Sequence, residues 1–256
     1  MKSTSLLTLV LASALLVPIA LPSPLLAAAG ASPNTATVSK SEFCVLDSNR
    51  AATWQTRFTA ETTRRHDLRA NEDTQIAAAR QKADVALAAR RVTWDTERTQ
   101  SFTAIEAAAT TTAQKAAVSA FEVTVRAAVT TKRASNDAAT STFRTSRDAL
   151  LASRRKNMDA ALTARNQALA AAAQTVMTNC ASSTGTASEQ RATYVAALTA
   201  ARSTFIAAQL AANTSFKTAE ATLVSARTTA ETSNYATFKQ TISTARDTLK
   251  SALAAK

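Results

Sequence analysis

Few side chains in this chain are of a type and spacing that could do chemistry. His66 is the single histidine, set in Arg64-Arg65-His66-Asp67. Acid–base or nucleophilic catalysis would need it partnered with a nucleophile inside an ordered pocket. One histidine and two cysteines far apart, Cys44 and Cys180, cannot complete a zinc shell. Adjacent carboxylates such as Glu72-Asp73 point apart on a helix and cannot share a substrate. With glycine only at positions 30 and 185, no glycine-rich phosphate loop can form. The residues therefore predict no catalytic centre, no cofactor, no metal and no small-molecule substrate. The remaining candidate is a basic cluster, Arg144, Arg147, Arg154, Arg155, Lys156 and Arg165, which could hold the phosphates of nucleic acid, an envelope polymer or a lipid surface. Acids and threonines are interspersed and aromatics are few, so a solvated helix face is the plainer reading.

Any such residues must be positioned by helices. Apolar types make up 46% of the 256 residues but aromatics only 5%, and most of the apolar share is alanine. Alanine favours helix above all other residues yet buries little more than a methyl, about 0.8 kcal/mol. Every proline (Pro18, Pro22, Pro24, Pro33) lies near the N-terminus, and downstream only Gly185 breaks the run. This composition predicts an all-α, elongated antiparallel bundle of about three alanine-rich helices over 44–110, 113–180 and 188–256.

The first 31 residues read as a signal peptide. Met1-Lys2 precedes an apolar stretch from Leu6 to Ala20, and Ala27-x-Ala29 or Ala29-x-Ala31 fits a signal-peptidase site. An uncleaved membrane anchor is the alternative, since the same stretch is long enough to span. No later segment is expected to cross a membrane. Residues 32–43 read as a flexible leader.

Export to an extracellular, periplasmic or cell-surface location makes the two cysteines a candidate disulfide. Pairing Cys44 with Cys180 requires Cα atoms within about 7 Å, whereas an unbroken helix would separate them by roughly 200 Å. The chain would then reverse near its midpoint, at Thr110-Thr111-Thr112, a β-branched run and poor helix former. Two arrangements compete with this one. Ser135-Asn136-Asp137 could cap a different reversal, or one helix could run unbroken from 44 to 180 with its cysteines linking separate molecules.

Periodicity supports packed helices. Tyr194, Phe205, Phe216, Arg227, Phe238 and Leu249 recur every eleven residues, which is three turns at 3.67 residues per turn and therefore a nearly straight stripe. Arg227 breaks its apolar character. Leu151 and Met158, with Leu162, Leu169 and Val176, are spaced like a heptad. The stripe is narrow, as a helix–helix seam requires, rather than the broad apolar face of a helix lying on lipid. Charge is unequal: the formal net charge is +12, and residues 113–180 carry ten bases against four acids. The expected function is an exported, non-enzymatic structural or envelope rod, a spacer or interaction scaffold that can self-associate through its helices. The alternative is a basic binding module for an anionic polymer or anionic membrane surface.

Overall fold

A computed structural model of the chain describes residues 40–182 and 184–254, with side chains at Cys44 and from Thr53 onward. The signal segment at 1–31 and the start of the leader lie outside the described residues. Three helices follow: α1 Lys40–Ala108, α2 Thr112–Ala181 and α3 Ala187–Ala254. Helix begins at Lys40, inside the stretch assigned to the leader, because nothing between Lys40 and Cys44 interrupts it. Each helix has 68 to 70 residues, or about 100 Å at 1.5 Å per residue.

The first reversal falls on the threonine run, where a cap reinforces poor propensity. Thr111 is the N-cap of α2 (φ −102°, ψ 160°). Gln114 N–H donates to its hydroxyl at 3.1 Å. Gln114 Oε1 in turn accepts from the backbone N–H groups of Thr110 (3.0 Å) and Thr111 (3.2 Å). This capping box satisfies backbone donors that a helix start leaves open. Ser135, Asn136 and Asp137 lie inside α2, so neither competing arrangement holds.

The second reversal repeats the device. Glu189 Oε2 accepts from Thr186 N–H at 2.8 Å, and Thr186 Oγ1 accepts from Glu189 N–H at 3.3 Å. The Thr186 N–H and its hydroxyl, both donating to Glu189 Oε2, hold that carboxyl below the usual carboxylate range. Gly185 adopts φ +68°, the left-handed region that glycine enters without a Cβ clash. A Cβ there would also come within 2.9 Å of Gln190 Nε2. That amide is needed elsewhere: buried Gln190 donates to Thr184 O and accepts from Asn179 Nδ2.

Cys44 and Cys180 are joined, Cα–Cα 6.0 Å apart, closing α1 onto α2. Next to the bridge lie two small cores, Ala172, Ala173, Val176 and Tyr194, then Phe58, Leu169 and Ala201. A third, of Ala109, Val118 and Leu249, sits at the opposite end. Helix α2 is the central element and carries ten buried residues, among them Leu151, Leu162, Leu169 and Val176 of the heptad-like rows. Its close neighbour along the length is α3, while α1 approaches it less tightly. Contrary to expectation, α3 holds an 18-residue window apolar enough to cross a membrane, mean hydropathy 1.3. Only 17% of that window is buried, so its apolar surplus faces outward.

Candidate functional site

The two interfaces of α2 hold most of the molecule's polar chemistry, and both are built on the eleven-residue spacing. On α1, Arg69, Arg80 and Arg91 are each followed four residues later by an aspartate: Asp73, Asp84 and Asp95. On α2 the same pattern recurs as Arg133–Asp137, Arg144–Asp148 and Arg155–Asp159. Residues eleven apart share one line along a helix. Two antiparallel helices with this pattern therefore present arginine to aspartate at every step.

All six contacts form, each bidentate with N–O distances from 2.5 to 2.9 Å: Arg69–Asp159, Arg80–Asp148 and Arg91–Asp137 in one row. Arg155–Asp73, Arg144–Asp84 and Arg133–Asp95 make the other. Hydrogen bonds from the facing guanidiniums hold all six aspartates below the ordinary carboxylate range. Asp95, bound by both Arg133 and Arg98, falls to about 2. Fork-to-fork geometry adds directional specificity to each pair. Because the carboxylates are about half exposed, solvent screens the stabilisation, and the pairs act mainly on register.

The α2–α3 interface uses cations and aromatics. Arg165 lies over Phe205 (4.7 Å to the ring centroid), Arg154 over Phe216 (5.3 Å) and Lys132 over Phe238 (4.7 Å). Between the second and third of these the order is reversed, with Arg227 of α3 over Phe143 of α2 at 4.6 Å. Positions 132, 143, 154 and 165 descend by eleven as 238, 227, 216 and 205 ascend. Arg227 thus breaks the α3 stripe in the layer where α2 supplies the ring. Between layers, Arg147 Nε donates to Glu220 (2.6 Å), Arg154 Nε to Asn213 (2.8 Å) and Asn234 Nδ2 to Asn136 (2.8 Å).

The helix–helix seam that the eleven-residue stripe predicts is not buried evenly along its length. Phe205 is 4% exposed, but Phe216 and Phe238 are only half-buried. A single neighbouring helix with a cation over the ring leaves the far edge of each open.

The layers meet all three helices at one polar junction. Buried Arg165 donates from Nη2 to Glu61 of α1 at 2.6 Å and lies between the rings of Phe58 and Phe205. Arg65 binds the other oxygen of Glu61 at 3.0 Å. Burial alone would raise the Glu61 carboxyl, but the two guanidiniums outweigh it and hold it low.

The sequence's candidate anion site is therefore dispersed. Arg144 and Arg155 bind acids of α1, Arg147 an acid of α3, Arg154 an amide of α3, and Arg165 the α1 junction. Only Lys156 of the six stands exposed with no such partner among the described residues. Counting charge segment by segment concealed this, because the acids that α2 lacks come from its neighbours. The signal that would have revealed the ladder, Arg-x-x-x-Asp recurring every eleven residues in both of the first two helices, was present in the sequence.

His66 is exposed, with Nδ1 3.8 Å from Asp67, which is also exposed. A cleft of about 480 Å³ between α2 and α3 is open and lined by residues including Phe121, Thr124, Gln240, Thr244 and Leu249, with no ionisable side chain. Another, about 440 Å³, is formed by Asp84, Leu87, Ala88, Arg91 and Asp137 of the ladder. Among the described residues no three His, Cys, Asp or Glu side chains cluster as metal ligands. Compared with known families, curated proteins and solved structures, the chain matches none.

Proposed function

We propose that this chain is an exported, non-enzymatic structural rod, working outside the cytoplasm as a spacer or interaction scaffold. The observation that carries the reading is the use of its reactive side chains. The arginine–aspartate pairs and the cation–aromatic layers hold three helices of nearly equal length in fixed register. A scaffold needs length and stiffness, and both follow from this arrangement. The Cys44–Cys180 bridge fits an oxidising compartment.

Cell fractionation of the tagged full chain, followed by N-terminal sequencing, tests the reading. Exported material beginning at Gly30 or Ser32, with a maximum dimension of about 100 Å by solution scattering, is the expected result. A cytoplasmic pool retaining Met1, or a compact particle, would overturn it.

A further inference from the structure

One exposed side of α3, beside its seam with α2, differs from the exposed surface of α1. Two neighbouring columns run along it at eleven-residue spacing, offset by four residues and therefore adjacent on the helix. The first holds Arg191, Arg202, Asn213, Val224, Tyr235 and Arg246, and the second Val195, Ile206, Lys217, Thr228, Lys239 and Lys250. All are exposed except Asn213, which accepts from Arg154 of α2, and the Tyr235 ring borders the seam under Lys132 of α2. Neither column contains an acid. Leu210, 66% exposed, lies one ridge further on. Arg246 has Asp247 at 3.7 Å beside it, but the other five cations pair with no acid among the described residues. On α1, by contrast, exposed apolar residues such as Val85 and Val92 stand among nearly equal numbers of acids and bases.

We propose that this face docks lengthwise on an anionic lipid bilayer. Charge complementarity selects an anionic partner. The large apolar side chains interleaved with the cations select lipid over a polyanion, since they can enter the headgroup–acyl boundary while the cations meet headgroups. The inference goes beyond the rod reading and does not depend on it.

The test is co-sedimentation of the full chain with vesicles of equal phosphatidylglycerol and phosphatidylcholine, beside pure phosphatidylcholine. The chain should prefer the anionic vesicles, and the preference should fall with salt. Each cation near such a surface is worth about fivefold in partitioning. Arg202→Ser, Lys217→Ser and Lys239→Ser together should therefore weaken binding about 100-fold while helicity is unchanged. The same charge loss on α1 (Arg57→Ser, Arg64→Ser, Arg90→Ser) should have far less effect. Val195→Ser, Ile206→Ser and Leu210→Ser should weaken vesicle binding about tenfold or more and leave binding to duplex DNA as it was. No preference for anionic vesicles, equal losses from the α1 and α3 charge variants, or full vesicle binding by the apolar variant would each overturn the proposal. The last outcome would identify the face as a polyanion site.

Discussion

The reversed layer offers a direct test of the α2–α3 register. Phe143 is 8% exposed under the Arg227 guanidinium. Phe143→Arg removes a buried ring, a change worth about 3–5 kcal/mol when truncated to alanine. The arginine stem recovers part of that by lying along the seam, but it places a second guanidinium against Arg227. We expect a net loss of about 2–4 kcal/mol. Arg227→Phe gives a ring-on-ring layer and should be milder, about 1 kcal/mol, because it also releases an Nε that sits 3.4 Å from Glu231 without hydrogen-bond geometry. Combining the two restores a cation over a ring, in the order the other layers use. The double variant should then be more stable than Phe143→Arg alone, with a coupling of about 1–2 kcal/mol. Urea unfolding followed by far-ultraviolet circular dichroism supplies all four corners of the cycle. Effects that add to within about 0.5 kcal/mol would show that residues 143 and 227 do not face each other, and the register would be refuted.

Reducing the Cys44–Cys180 bridge, whose partners are 136 residues apart, should lower stability by about 5 kcal/mol if chain entropy dominates; an unmoved urea midpoint would contradict that. The six ladder aspartates are depressed, so what they contribute is present above their ordinary value near 3.8 and disappears as pH falls through the folded values. For Asp95 that window runs from 3.8 down to about 2. The melting temperature should fall across that range, and Asp73→Asn, Asp84→Asn and Asp95→Asn together should flatten the fall; an unchanged slope would separate the ladder from acid unfolding. Glu61→Ala leaves Arg65 and Arg165 facing each other in a buried site and should destabilise by about 3–5 kcal/mol, read as a lowered urea midpoint that Glu61→Asp partly restores.

Much of the fold was legible because its signals are local. Threonines at 110–112, the single downstream glycine and two terminal cysteines place both reversals and the bridge within a few residues of where they stand. The side-chain assignments were less legible, for a physical reason. Arg144 and Arg155 are surface cations by sequence context, and only the antiparallel register brings Asp84 and Asp73 opposite them. Arg227 looked like a defect in one helix's stripe, because its ring belongs to another helix. The half-burial of Phe216 and Phe238 was likewise hidden, since periodicity gives the direction of a side chain and says nothing of how many helices surround it.

The polar ladders answer a problem that alanine creates. An alanine-rich helix face looks much the same at each turn, so packing alone distinguishes weakly between one register and its neighbours, and each buried methyl adds only about 0.8 kcal/mol. Sliding α1 along α2 by one turn would leave the guanidiniums and carboxylates of the ladder without their facing partners. Such penalties against wrong pairings supply the specificity that a smooth surface lacks. A slip of eleven residues would escape them, since it re-pairs most of each row. That competitor is blocked at the ends. The Thr111–Gln114 cap fixes where α2 starts, the Cys44–Cys180 bridge fixes α1 at the far end, and Gly185 with Gln190 fixes the start of α3. The repeat thus sets register modulo eleven, and the caps and bridge choose which multiple is used.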